Sequence, residues 1–279
     1  MTLRRTLSVV SAVALATGLA ACSASGTGED TLVISASATP HVEILEHVRQ
    51  SGALGDVVLD IKPVTGEVDP NELLEAGDVD ANFFQHHPYL ADWQQQKGVD
   101  NLESVASVHL EPLGLYSNKI AAVADLKDGD TIALPKDTTN FARALYLLES
   151  AGLLELDKPL SEADIATVTA ANIVSNPKNL RFVELERAQL ARTVDDPAIT
   201  ASVVNSNYAL EAGLNPADDS IVRESVDNNP FENILVVRSE DASDPAVTAL
   251  ADALESPEVA AWIAENYDGA VVPVHEVGA

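Results

Sequence analysis

TLVISASATPHVEILEHVRQSGALGDVVLDIKPV, residues 31–64, decides the fold. TLVISASA is an apolar run rich in β-formers, Thr39-Pro40 marks a turn, and Val42, Leu45 and Val48 then recur at helical spacing. VVLDIKPV (57–64) is a second β run, and NELLEAGDVDANFF (71–84) reads as a short helix followed by a third strand. Farther along, TIALPKD (131–137) runs into TTNFARALYLLESAGLL (138–154), a helix stopped near Gly152. RFVELE, ASVVNS and NILVVR are further β runs; DPAVTALADALESPEVAAWIAENY (244–267) is helical, with Pro257 opening a second helix at its first turn. Strands alternating with helices predict an α/β protein with a largely parallel sheet covered on both faces.

Two extended segments interrupt this rhythm. SVHLEPLGLYSNKI (107–120) carries Pro112 and Gly114, and SVDNNPFENILVV (225–237) is a second Pro-containing stretch. If the chain crosses twice between lobes, the lobes are discontinuous, residues 31–112 plus 230–279 and residues 113–229. The cleft between them is where ligands commonly bind.

Upstream, Arg4 and Arg5 precede an uncharged stretch from Leu7 to Ala21, and the only cysteine, Cys22, follows Leu19-Ala20-Ala21. A positive start, an apolar run of roughly 15 residues and small residues at its end have the form of a secretory signal, too short for a relaxed membrane span of about 20. Leu-Ala-Ala-Cys resembles the bacterial lipobox. That resemblance implies a signal peptide over 1–21, removed so that Cys22 becomes the first residue and carries acyl chains such as palmitate. Residues 22–30 are small and polar, as suits a flexible tether. With one cysteine there is no disulfide framework, so stability rests on the core of a chain that is 46% hydrophobic.

Lys and Arg total 16 against 44 Asp and Glu, a formal net charge of -28. Such a balance excludes nucleic acid as a partner. The acids are dispersed and form no calcium-loop pattern, which leaves a solvated acidic surface. Hydrolase and NTPase motifs are missing: there is no G-x-S-x-G, H-E-x-x-H, P-loop or complete G-x-G-x-x-G. Of six histidines only His86 and His87 are adjacent, and adjacent side chains diverge. A zinc site would need His41 or His109 to meet a carboxylate from elsewhere, so no metal and no cofactor are expected.

The distinctive residues cluster at predicted strand ends. ANFFQHHPYL (81–90) places two phenylalanines and a tyrosine among amide and imidazole groups in a chain only 4% aromatic. LPKDTTNFARAL (134–145) sets Asn140 and Arg143 at a helix start, where a guanidinium, free amide N–H groups and the helix dipole together favour a carboxylate. The same residues also suit plain helix capping and core filling. Asn205 in VVNSNYAL and Asn233 in NNPFENILVV each sit beside an apolar β run.

These segments, with NIVSNPKNLRFVELERAQLAR (172–192), VDDPAITASVVNSNYALEAGLNP (194–216) and NPFENILVVR (229–238), occur in an order that closely resembles the methionine-binding lipoproteins of the NlpA and MetQ type. The resemblance covers nearly everything after the signal. It implies a two-lobed periplasmic-binding-protein fold, type II-like, that closes on an amino acid. It also implies a monomeric, non-enzymatic receptor, lipid-anchored on the extracytoplasmic face of the cell membrane, which docks on an ABC permease with its ATPase. By matched motif, Arg143 pairs with the ligand α-carboxylate, supported by Asn140; Asn205 and Asn233 hold the amino and carboxylate groups; Phe84, His86 and Tyr89 shape the side-chain pocket, and Tyr116 borders it. His41, in a segment where members vary, is a further pocket candidate, while His87 and Phe83 depart from the residues common in the family and leave side-chain selectivity open. L-methionine is the expected ligand. A D-amino acid, a methionine-containing dipeptide and another small apolar amino acid are the alternatives, with adhesion or signalling as a different class. Arg143→Ala is expected to weaken binding more than tenfold with little change in unfolding of the ligand-free protein.

Overall fold

The computed structural model describes residues 31–65 and 68–277. The expected signal peptide over 1–21 and tether over 22–30, with Cys22, lie outside the described residues. A six-stranded sheet is built from β1 (Thr31–Ser37), β2 (Val58–Val64), β3 (Ala81–His86), β4 (Leu102–Leu110) and, from the other end of the chain, β12 (Glu232–Arg238) and β13 (Val272–Pro273), in the order β13-β4-β12-β3-β1-β2. A second sheet takes β5 (Gly114–Tyr116), β6 (Thr131–Pro135), β9 (Arg181–Leu185), β10 (Ala201–Val204) and β11 (Val222–Arg223), in the order β11-β5-β10-β6-β9. The short pair β7 (Glu155–Leu156) and β8 (Ile173–Ser175) stands apart.

Neither sheet is largely parallel. The βαβ units pair in parallel, β1 with β2 and β3, and β6 with β9 and β10. By contrast β12 pairs antiparallel with β3 and β4, β13 with β4, and β5 with β10 and β11. Hydrophobic periodicity reports burial on a strand and is silent on its direction. Apart from the C-terminal β13, the strands that bring in antiparallel pairing, β4, β5, β11 and β12, are those flanking the two passages between sheets.

Helices cover both faces, as strands buried on two sides require. In the first lobe, α1 (Glu43–Ser51), α7 (Pro245–Leu254) and α8 (Pro257–Tyr267) bury Ile44, Leu45, Val48, Leu250 and Ile263 with the core residues Ile34, Phe83 and Leu235. On the opposite face α2 (Pro70–Ala76) and α3 (His87–Lys97) contribute Leu74, Leu90 and Trp93 to a cluster with Ile234 and Val236. In the second lobe α4 (Thr138–Ser150) packs Leu145 and Leu148 with Ile132, Leu134 and Val203, while α5 (Arg187–Leu190) and α6 (Ser206–Glu211) flank the other side with Leu190 and Ala209. Local chemistry sets several helix starts: Asp69, His86, Asp137, Asp244 and Ser256 each accept a backbone N–H of the first turn, and proline follows directly after Asp69, Asp244 and Ser256.

The chain passes from one sheet to the other through residues 111–113 and returns through 224–231. These passages run side by side. Glu224 N–H donates to Leu113 O at 2.9 Å, and Leu113 N–H donates to a Glu224 carboxylate oxygen at 3.1 Å. The strand ends that carry the distinctive segments therefore face each other across the space between the lobes.

Candidate functional site

A cavity of about 430 Å³, including its solvent-open part, lies between the lobes. The first lobe supplies Ser37 from the end of β1, Phe84, Gln85 and His86 from β3, Tyr89 from α3 and Asn233 from β12. The second supplies Asn140 and Arg143 from α4, Arg187 from α5, and Asn205, Asn207 and Tyr208 at the start of α6; Glu111 lies in the first passage. Strand register explains part of this convergence. Asn233 on β12 stands opposite His86 on β3 and opposite His109 on β4, so three polar side chains lie in one row across the sheet. Behind them a buried amide network of Asn71, Asn82 and Gln85 closes on itself through hydrogen bonds of 2.6 to 2.9 Å, satisfying polar groups that would be costly if unpaired.

Arg143 is 2% exposed. Its Nε donates to one oxygen of Glu224 at 2.7 Å, and its Nη2 donates to the other at 2.5 Å and to the Glu111 carbonyl at 2.7 Å. The guanidinium also lies 4.5 Å from the centroid of the Phe231 ring. One charged group is thus bound to both passages, through Glu111 on the first and Glu224 and Phe231 on the second. Its Nη1 makes no hydrogen bond among the described residues.

Asn140, Asn205 and His86 form the next layer. Asp137 caps α4 and accepts from Asn140 Nδ2 at 2.8 Å, which turns Asn140 Oδ1 toward the cavity, where Asn205 Nδ2 donates to it at 2.8 Å. His86 Nδ1 accepts from Tyr89 N–H at 3.1 Å, so its proton sits on Nε2, which reaches Asn140 Oδ1 across the lobes at 3.5 Å. Burial first, and the Arg143 charge second, push the His86 pKa well below the ordinary value and keep the ring neutral. Asn205 Oδ1 is buried with no hydrogen-bond partner. Such a group at a cavity wall is an acceptor lacking a donor.

Beneath the cavity, His41 and His109 converge on Glu111. His109 Nε2 lies 3.0 Å from Glu111 Oε1; His41 Nε2 lies 3.3 Å from the same oxygen and 3.0 Å from Asn233 Oδ1. Glu111 Oε2 accepts Asn207 N–H of the second lobe at 3.0 Å. Burial lowers His41 to a pKa of about 4, against the pull of Glu111, and lowers His109 to about 3. Burial also raises the Glu111 carboxyl, opposed by His41 and Arg143. Among the described residues, His41, His109 and Glu111 are the group whose ligand atoms could converge on a metal ion, all within 4.8 Å of one another. Yet both Nδ1 atoms are buried without partners, whereas a metal-bound imidazole almost always donates its other N–H to an acceptor. Two neutral rings, His41 giving Nε2–H to Asn233 Oδ1 and His109 giving Nε2–H to Glu111 Oε1, leave only the bare Nδ1 lone pairs unpaired, and that is the arrangement the geometry favours. The cluster lies one layer from the cavity, with Glu111 as its cavity-facing member.

At the outer end, the Arg187 guanidinium stands 5.0 Å from the Tyr89 ring centroid and donates to Tyr89 Oη at 3.5 Å, joining the lobes. Burial works against its charge, but Asp137, 3.4 Å away, together with Tyr89, Tyr208 and Glu186, outweighs this and holds the pKa above the ordinary arginine range. Beyond Phe84, Tyr89, Arg187 and Tyr208 the cleft widens into a solvent-open chamber of about 1270 Å³, its open part included.

Residues 32–275 match the family model described as NlpA lipoprotein. The chain belongs to the NlpA lipoprotein family. Among its relatives, the methionine-binding lipoprotein MetQ of Bacillus subtilis is 36% identical over 92% of this chain and 94% of that protein. A nutrient binding protein of Burkholderia cenocepacia, solved bound to methionine, superposes with a TM-score of 0.80 at 36% identity, covering 87% of this chain and 99% of the other. An ABC transporter periplasmic substrate-binding protein of Coxiella burnetii superposes with a TM-score of 0.79 at 37% identity over 87% and 100%. The two-lobed α/β architecture is common to these NlpA-family chains.

Measured against the sequence reading, Phe84, His86, Tyr89, Asn140, Arg143, Asn205 and Asn233 all line one cavity. Tyr116 does not. It is 1% exposed inside the second lobe, packed with Leu190, Val194 and Ile199, because β5 turns its ring into that core and over Gly114. His41 lies below the cavity, and Phe83 packs edge-on against its ring at 4.6 Å. Ser37, Gln85, Glu111, Arg187, Asn207 and Tyr208 line the cavity without having been singled out. Arg187 had a signal: like Arg143 it lies on the helix that follows a parallel strand, where clefts in such sheets form. Glu111 had none, since its role depends on His41, far upstream in the chain, meeting it and the nearby His109.

Proposed function

We propose that this chain is the receptor component of an ABC importer, binding methionine as a zwitterion between its lobes. The observation carrying this reading is the pairing, in one interlobe cavity, of a buried acceptor without a donor, Asn205 Oδ1, with the free Nη1 edge of Arg143. An α-ammonium group supplies what Asn205 lacks, with Glu111 close by, and an α-carboxylate accepts from Arg143. Charge-assisted hydrogen bonds of this kind contribute about 1.5 to 3 kcal/mol each. Phe84, His86 and Tyr89 face the thioether side chain, and Asn140 and Asn233 orient the histidines and Asn205 that frame the head group. Because the contacts come from both lobes, only a closed arrangement makes all of them, and the ligand favours closure by that difference.

On this reading the lobes comprise residues 31–112 with 230–279 and residues 113–229. The protein acts as a monomer, is not an enzyme, and is held through Cys22 to the extracytoplasmic face of the membrane beside a permease and its ATPase. The Bacillus relative's name and the methionine bound to the Burkholderia protein support methionine over adhesion or signalling. Calorimetric titration with L- and D-methionine tests the reading. L-methionine is expected to bind the parent, and Asn205→Leu to weaken binding more than tenfold. A parent protein indifferent to both isomers would refute it.

A further inference from the structure

Helix α6 begins at a residue that does not cap it. Asn205 has the extended backbone of an N-cap, φ -67° and ψ 142°, the geometry in which Asp137, at φ -68° and ψ 143°, caps α4. Asparagine is among the residues best suited to that task. Yet the Asn205 side chain makes no capping bond: its Nδ2 donates to Asn140 Oδ1 at 2.8 Å, and its own Oδ1 is buried at the cavity wall without a donor. The N–H it would take, that of Asn207, goes instead to Glu111 Oε2 at 3.0 Å.

This substitute cap comes from outside the helix and is itself held in place. Glu111 lies in the first passage between the lobes and is 6% exposed, and its other oxygen receives His109 Nε2–H at 3.0 Å. Ser206, the first residue of α6, adds a second fastening to the same passage by donating its hydroxyl to Pro112 O at 2.5 Å. A carboxylate is a stronger partner for a helix start than a neutral amide, because its charge meets both a free N–H and the positive end of the peptide dipoles. Competition for the one donor therefore favours Glu111 and leaves Asn205 Oδ1 for another group.

We propose that Glu111 is a positioning residue of the binding site: by capping α6 in place of Asn205 it keeps the Asn205 amide turned into the cavity, and without it that amide folds back onto its own helix. This deepens, and rests on, the reading of the cavity as a zwitterion site in which Asn205 Oδ1 receives the α-ammonium group.

The test is a double-variant cycle on the full chain, read by isothermal titration with L-methionine and by melting temperature without ligand. Glu111→Leu removes both oxygens, whereas Glu111→Gln keeps a carbonyl for Asn207 N–H; its amide can face His109, whose Nδ1 has no partner and is free to carry the ring proton. Glu111→Leu should weaken methionine binding tenfold or more, and Glu111→Gln should recover most of that loss. Asn205→Leu should cost more than tenfold in affinity in the parent and in Glu111→Gln, but little further in Glu111→Leu, where the amide has already left the cavity. Melting temperatures should show the reverse. Asn205→Leu should lower that of Glu111→Leu by about 2 to 4 °C more than that of the parent, the scale of one lost cap in a chain of this size. This second readout decides the matter even where Glu111→Leu binds too weakly to titrate, and Glu111→Ala, run beside it, gives the same contrast should leucine not pack. Binding as weak in Glu111→Gln as in Glu111→Leu would put the Glu111 charge on the ligand itself and overturn the proposal. Equal melting shifts from Asn205→Leu in the parent and in Glu111→Leu would overturn it as well. A parent that ignores methionine, or whose affinity survives Asn205→Leu, defeats the zwitterion reading and the proposal with it.

Discussion

Replacing Arg143 by alanine removes more than a ligand contact. The guanidinium holds Glu224 through two hydrogen bonds of 2.7 and 2.5 Å, with side-chain exposures of 3% and 13%, and it also binds the Glu111 carbonyl. The expectation from sequence, that ligand-free stability would hardly change, is therefore replaced. Breaking a buried ion pair from one side leaves an uncompensated carboxylate and costs about 3 to 5 kcal/mol. For a chain of this size, each kcal/mol lowers the melting temperature by roughly 2 to 4 °C. Arg143→Ala should thus melt about 10 °C below the parent in the absence of ligand. The double variant Arg143→Met/Glu224→Met removes both charges and keeps apolar volume against Phe231, so it should recover most of that loss. Differential scanning calorimetry reads stability, and isothermal titration of the double variant reads the ligand contact without the fold as a confounder. Methionine affinity should remain weakened more than tenfold in the double variant. Two results would refute the reasoning: a single variant melting within 2 °C of the parent, or a double variant that binds methionine as the parent does.

Acid should destabilise the ligand-free protein early. His41 and His109 have folded pKa values of about 4 and about 3 against an ordinary 6.5, so below pH 6.5 the unfolded chain takes up protons the folded one refuses, and stability falls as pH falls. At pH 5 each ring accounts for about 2 kcal/mol, and His86 adds in the same direction. Glu111, raised by burial, opposes them. A melting temperature that stays level from pH 7 to pH 5 would mean the rings are charged in the folded state. Gly114→Ala should destabilise the second lobe by about 1 to 3 kcal/mol, because the added Cβ would sit 2.6 Å from the Tyr116 ring. Gly114→Ala/Tyr116→Ala should relieve that clash, and a single variant as stable as the parent would show that the ring is free to move. Cys22→Ser should release the protein from the membrane fraction or block its processing, and unchanged fractionation would argue against the lipid anchor.

Residues 31–64 suffice to read an α/β chain, because burial on both sides of a strand and on one face of a helix leaves periods of two and 3.6 in the sequence. The helices opening near Asn71, Thr138 and Pro257 were legible for the same local reason, though their caps Asp69, Asp137 and Ser256 were not singled out, and so were the strand-end segments that hold Phe84, Asn140, Arg143 and Asn205. The antiparallel course of β12 and β5 was not, since direction leaves no mark on hydrophobic pattern. Partners farther along the chain were equally hidden. Sequence shows Arg143 at a helix start; only the side-by-side passages bring Glu224 to it across 81 positions. His41, in the segment after β1, meets His109 at the end of β4 and Glu111 just past it only in the folded sheet, and Tyr116 leaves the cavity because β5 presents that face to the core. Local chemistry is written residue by residue, whereas which charges meet depends on long-range closure of the chain, a property of the fold as a whole.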